Sequence, residues 1–150
     1  MSIDRFWKDF LSHTGRDPET KYISCFHFEL TERWANELLG LVLSGKKRAT
    51  ASSLISFEIE NEPLPGPGDL SIVTDWAGEP RCVIETTCVT VLPFNAMTFD
   101  ICSREGEDEC LETWVDGHRR FFTAEGNEMG YEFCEDMPVV FEDFEVVYSK

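Results

Sequence analysis

The stretch from Leu70 to Leu92 constrains the fold most tightly. It alternates side-chain character through two extended runs joined by a short turn. Leu70–Trp76 reads as one strand and Arg81–Leu92 as a longer one, with Ala77-Gly78-Glu79-Pro80 between them. In the second run Cys82, Ile84, Thr86, Cys88 and Thr90 take one face, and Val83, Glu85, Thr87, Val89 and Val91 take the other. The two runs are expected to pair as an antiparallel hairpin. Just before them, the loop Asn61–Gly68 (NEPLPGPG) carries three Pro and two Gly, a firm break between this sheet and a more helical first third.

Ile3, Phe6, Trp7, Phe10 and Leu11 recur at spacings of three and four, which predicts an amphipathic helix over residues 2–12. A polar linker, 13–21, leads to an extended segment at Tyr22–Phe28. Thr31 is expected to cap a second helix whose apolar stripe is Trp34, Leu38, Leu39 and Val42, and Gly45 suits the left-handed position past its end. Thr50–Ile59 reads as β-rich. Phe94–Met97 connects to a helix around Thr98–Glu105, then to an acidic loop, Gly106–Glu109. Leu111, Trp114, Val115, His118, Phe121 and Phe122 mark a helix over Leu111–Thr123. Gly126–Gly130 reads as a loop and Val139–Val147 as a closing strand. Short strands interleaved with helices define an α+β fold with a small mixed or barrel-like sheet. At 150 residues the chain suits one domain.

Charge narrows the partners. The chain holds 29 Asp and Glu against 13 Lys and Arg, for a formal net charge of −16. Residues 1–50 carry 7 acids and 8 bases, residues 51–100 carry 8 acids and Arg81 alone, and residues 101–150 carry 14 acids and 4 bases. Such a field repels polyphosphates and argues against duplex DNA. The one compact basic cluster is Lys46-Lys47-Arg48, whose simplest role is to complement a helix end. No apolar run is long enough to span a bilayer. No basic region precedes an apolar stretch at the N-terminus, so a cytoplasmic chain is expected.

Cys25, Cys82, Cys88, Cys102, Cys110 and Cys134 form no C-x-x-C pair, and His13, His27 and His118 do not bracket them at zinc-site spacing. No metal or other cofactor is expected, and the thiols should be reduced and mostly buried. Trp34 and Trp114 lie on apolar helical faces and read as core. Trp76, beside the hairpin turn, is the tryptophan best placed to stack on a base.

The order of short motifs carries a resemblance. Gly45-x-Lys47-x-x-Thr50 follows a helix, Gly68-Asp69 opens a strand, and Pro93-Phe94 and Glu105-Gly106 follow in turn. Trp114, His118, Phe121 and Phe122 then supply a W-x-x-x-H-x-x-F-F pattern. Together these resemble the ASCH domain family over roughly residues 22–148, with residues 1–20 as a helical extension. The resemblance implies a PUA-like small β-barrel related to RNA-binding modules.

One compact bacterial branch to which the chain is similar is a metal-independent amidohydrolase acting on N4-acetylcytidine. That likeness implies catalytic Lys47, Thr50 and Glu105. Two other readings come with the family: a non-catalytic RNA- or nucleotide-binding module, and a metal-independent ribonuclease. In either case the partner is a nucleoside-like small molecule or short single-stranded RNA. An amide hydrolase needs a nucleophile, a base and oxyanion stabilisation. Lys47 serves as base only if it loses a proton, and as oxyanion stabiliser if Glu105 keeps it charged. Both assignments stand at this level. Lys46, Arg48, Ser52, Trp76, Arg81 and His118 are candidate substrate-binding residues.

Overall fold

The computed structural model describes residues 1–150. Five strands and five helices follow one another as α1 (Ile3–Thr14), β1 (Ser24–Phe26), α2 (Glu32–Leu43), β2 (Ala49–Ser53), α3 (Leu54–Ile59), β3 (Leu70–Thr74), β4 (Pro80–Pro93), α4 (Phe99–Cys102), α5 (Leu111–Met129) and β5 (Pro138–Ser149). Short 3-10 turns lie at Phe94–Ala96 and Ser103–Glu105. The strands form one mixed, curled sheet, a half-barrel, in the order β1-β3-β4-β5-β2. Only β1 and β3 run parallel; the other neighbours are antiparallel. The α+β class and the predicted hairpin both hold. No helix is long and apolar enough to cross a membrane.

The two long strands curl because their ladder is irregular. The β4–β5 register shifts between Val83 and Ile84 and again between Thr86 and Cys88, where Thr87 is left over. An extra residue on one strand bends it and increases the local twist. The strict alternation expected along Arg81–Leu92 therefore breaks at Thr87.

Helices cover both faces. Phe6, Trp7, Phe10 and Leu11 of α1 pack on Leu70, Ile72 and Val83. On the other face Leu38, Leu39 and Val42 of α2 pack on Val73, Cys82, Ile84 and Phe144. Trp114 and Phe122 of α5 join Ala49, Phe94, Val139 and Phe141 at the far end of the sheet. Burial of Phe6 and Phe10 to zero exposure makes α1 part of the core. Removing such a phenylalanine costs about 3–5 kcal/mol.

Three local expectations are corrected. The run Thr50–Ile59 is not all strand: Ser53 Oγ accepts from Ser56 N and starts α3 directly after β2. Gly126 does not open a loop but lies inside α5, where the Tyr131 carbonyl comes so close that a Cβ would sit 2.3 Å from its oxygen. The six cysteines are free, but only Cys82 and Cys102 are buried. Four thiols are exposed, against the expectation of burial.

Candidate functional site

Two tight backbone approaches set the site. After α2, Gly45 takes a left-handed φ of 83°, and the amides of Lys46 and Lys47 both donate to Leu41 O. The chain then runs along the Ser103–Glu105 turn, with Arg48 N–H donating to Arg104 O at 2.9 Å. Gly106, at φ 70°, closes that turn against Lys46; a Cβ there would lie 2.3 Å from Lys46 O. Only glycine permits this contact. The result sets Lys47 against Glu105.

Lys47 is 1% exposed and Glu105 2%. The Lys47 ammonium spends its three N–H bonds on Ala49 O at 2.8 Å, Glu105 Oε2 at 3.1 Å, and Glu107 Oε2. The other oxygen of Glu105 accepts from Trp114 Nε1 at 2.8 Å and faces His118 Nε2 at 3.4 Å. His118 Nδ1 lies 2.9 Å from Trp114 O, so it carries a proton to donate there. The imidazole stacks on the Trp114 ring with centroids 4.1 Å apart. The W-x-x-x-H spacing thus places an indole donor and an imidazole one helical turn apart on one carboxylate.

Charge states follow from these contacts. Burial alone would push the Lys47 ammonium down, but Glu105 and Glu107 more than offset it, so its pKa is raised. Burial also opposes charge on Glu105, yet Lys47 and His118 hold its carboxyl well below the usual range. For His118 burial works against the proton, and the facing Glu105 wins and raises its pKa. Glu107 goes the other way. Burial comes first, Lys47 resists it and Glu105 reinforces it, which together push this carboxyl up to about 8. The site therefore holds a fixed ion pair and, beside it, a carboxyl that exchanges its proton near neutrality.

Above this cluster lies a cavity of about 690 Å³ between α2 and α5. Glu107 and His118 reach it, with Glu29, Trp34, Arg120 and Phe121 on its walls. Three donors, from Glu105, Glu107 and His118, lie within 4.8 Å of one another, a grouping that suits a cation. Lys47 Nζ already bonds both carboxylates and acts as that cation.

Among the expected site residues the structure brings Lys47, Glu105 and His118 together. Thr50 lies on β2 between Ala49 and Ala51, which pack toward Trp114 and Phe122. Its side chain turns to the opposite face, across from Glu142, and it does not line the cavity. Ser52 shares that face, across from Val140. Lys46 and Arg48 are exposed beside the site. Trp76 is exposed but sits elsewhere, its backbone N–H donating to Asn36 Oδ1 and its ring 4.8 Å from His27. Arg81 faces Asp75 across the hairpin at 3.9 Å.

Trp34 was expected in the core; it is 47% exposed and lines the cavity. Glu107 and Glu29 are the residues that sequence reasoning missed. Glu107 stands two residues from Glu105, but in a loop so acidic that nothing marked it.

A half-barrel sheet with a buried Lys–Glu pair beneath an interhelical cavity defines an α+β domain of the PUA-like class. A family model described as the ASCH domain matches residues 24–148, and the chain belongs to that family. It is similar to a crystal structure of a protein from Enterococcus faecalis V583, with 34% identity and a TM-score of 0.88 over 97% of this chain and 87% of that one. It is also similar to an ASCH domain from Lactobacillus crispatus JV V101, with 37% identity and a TM-score of 0.85 over 97% and 93%. A mutant ASCH protein from Zymomonas mobilis, at 12% identity and a TM-score of 0.52 over 85% and 75%, shares the fold. No curated protein matches the chain significantly.

Proposed function

We propose that this protein is a metal-independent amidohydrolase whose cavity takes a nucleoside-sized acylated amine such as N4-acetylcytidine. The observation that supports it is the charged, buried Lys47–Glu105 pair directly behind Glu107 and His118, which line a cavity of about 690 Å³. That volume lies within the ~300–1,000 Å³ common for small-molecule sites. Acids on the walls and the net charge of −16 disfavour a long polyanion, and the size suits a nucleoside.

Lys47 stays protonated, so the oxyanion role replaces the base role. A substrate carbonyl oxygen takes the place of Glu107 on the ammonium, which then faces the negative charge that develops as the carbon becomes tetrahedral. Glu107, with a pKa of about 8, removes a proton from water as the water oxygen bonds to the acyl carbon. The C–N bond then breaks, Glu107 returns the proton to nitrogen, and amine and acid leave. Thr50 turns to the face of β2 opposite Ala49 and Ala51, which pack toward Trp114, so the attacking oxygen is assigned to water.

Purified protein incubated with N4-acetylcytidine in chelator is expected to release cytidine. Lys47→Met should lower kcat/KM by ~10²–10³-fold, while Thr50→Ala keeps most activity. Loss of more than ~100-fold in Thr50→Ala would overturn the water assignment and make Thr50 the nucleophile. RNA cleavage in chelator without deacetylation makes the protein a ribonuclease instead. RNA binding with a shallow salt dependence and no turnover makes it a binding module.

The pH profile tests Glu107 separately. As base it works deprotonated, so kcat/KM should climb with pH through about 8 and then level. Glu107→Gln should abolish the climb together with ~10²-fold or more of the rate. A profile flat from pH 6 to about 9 in the wild type removes Glu107 from the chemistry.

A further inference from the structure

Glu29 occupies a backbone conformation that its side-chain type avoids, at the wall of the cavity. Its φ is 61°, in the left-handed region, on the loop before α2. Asn61 is the other non-glycine residue there, at φ 55°, and asparagine tolerates that region well. Glutamate does not, and a strained residue persists where its surroundings hold it. At Glu29 the turn has a visible result. Phe28 packs into the core, with its ring 5.4 Å from Lys47 Nζ, as one side wall of the buried ammonium. The next residue reverses direction and puts its carboxylate on the cavity wall. Glu29 Oε1 accepts from Leu30 N at 3.3 Å, which leaves Oε2 for a ligand.

We infer that Glu29 is the residue by which this cavity selects secondary amides, accepting a hydrogen bond from the substrate N–H. The inference rests on the amidohydrolase reading and deepens it. Glu29 lies on the α2 side of the cavity and His118 on the α5 side. The N–H of a trans secondary amide points away from its carbonyl oxygen. With the oxygen on Lys47 and the acyl carbon beside Glu107, that N–H is directed into the cavity, and Glu29, which lines the same cavity, is the acceptor assigned to it. Burial raises the Glu29 pKa, while His118 and Lys47 act to lower it, so its charge senses the same cluster the carbonyl would engage. Trp34, exposed in the first turn of α2, gives the attached ring a flat wall. A tertiary amide has no N–H for the carboxylate and brings an alkyl group against it, which leaves a partly buried acceptor unpaired.

The test pairs two substrates with two variants. N4-acetylcytidine is compared with N4-acetyl-N4-methylcytidine, which lacks the N–H, using wild type, Glu29→Gln and Glu29→Gly. The wild type should prefer the secondary amide by ~10–100-fold in kcat/KM. Glu29→Gly should remove that preference while Tm rises by ~2–4 °C, because glycine relieves the left-handed strain. Glu29→Gln, which keeps an acceptor without the charge, should fall between.

A merely structural Glu29 predicts a different pattern, with both substrates slowed alike and the preference intact. That result overturns the inference. So does a wild type that turns over both substrates equally, with the amidohydrolase reading left standing. If neither is hydrolysed, binding of both by isothermal titration gives the same comparison. Discrimination in binding lost in Glu29→Gly then supports Glu29 and sinks the hydrolase. Equal binding, or none, sinks both.

Discussion

Lys47→Met is expected to cost ~3–5 kcal/mol of stability, because it strips the counter-ion from the buried Glu105 carboxylate and a donor from Glu107. For a chain of this size that is a fall in Tm of about 6–20 °C. Glu105 would remain with Trp114 and His118 as donors, and Glu107 would be left facing it. The double variant Lys47→Met/Glu105→Gln should recover a large part of the loss. Methionine fills the lysine volume, and the glutamine carbonyl still accepts from the Trp114 indole. If the double variant is no more stable than the single, an unpaired buried charge is not the cause.

Denaturation across pH sharpens the same experiment. Glu105 has a depressed pKa, so its contribution is present above the ordinary carboxylate value of 4.5 and is lost as pH falls through the folded value. The gap between wild type and Lys47→Met should therefore be wide near neutrality and close in acid. Glu107 has the opposite sign. Its raised pKa means a contribution present below 4.5 that is lost as pH climbs through about 8. This contribution should accordingly decline between about pH 4.5 and about 8 and level above, and Glu107→Gln should flatten that decline.

Gly106→Ala is the second large effect expected. The added methyl would lie 2.3 Å from the Lys46 carbonyl oxygen and 2.7 Å from its carbon, both backbone atoms that no rotamer change can move. The left-handed φ adds its own strain. We expect a loss of ~3 kcal/mol, seen as a fall in urea midpoint and a Tm lower by about 6–12 °C. Gly45→Ala is the control. Its φ of 83° carries similar strain, but nothing lies within 4 Å of its would-be Cβ, so ~1 kcal/mol is expected. Equal losses for the two would mean that the Gly106–Lys46 approach contributes nothing beyond φ. Activity should fall further in Gly106→Ala than stability does, because the turn that carries Glu105 would be pushed off Lys47.

These residues also show what the amino-acid sequence made legible. Lys47, Glu105 and His118 sit in motifs whose order could be read, and the fold brings them together. Glu107 and Glu29 could not be singled out among 29 acids, because burial and a left-handed φ are what distinguish them. Trp34 satisfied the helical spacing of a core residue, yet the face of α2 it occupies looks onto a cavity instead of the sheet. Thr50 carried the G-x-K-x-x-T spacing, but β2 has already begun at Ala49, and strand alternation turns Thr50 from the Ala49 side. The strand-to-helix change at Ser53 and the continuation of α5 through Gly126 were decided by a cap and by a close backbone approach. Residue pattern alone does not weigh such contacts.

The position of β2 at the sheet edge bears on how the site comes into being. Its one strand neighbour is β5, and Ala49 pairs there with Asp143, more than ninety residues on. As the chain leaves the ribosome, the helices and the β3–β4 hairpin can assemble while β2 still has no strand to pair with. The strand that follows Lys47 gains its place in the sheet only when the last strand slots between β4 and β2. Loop closure over that distance makes this a late step. Pairing of β2, whose Ala49 carbonyl accepts from the Lys47 ammonium, should thus wait until Pro138–Ser149 has emerged.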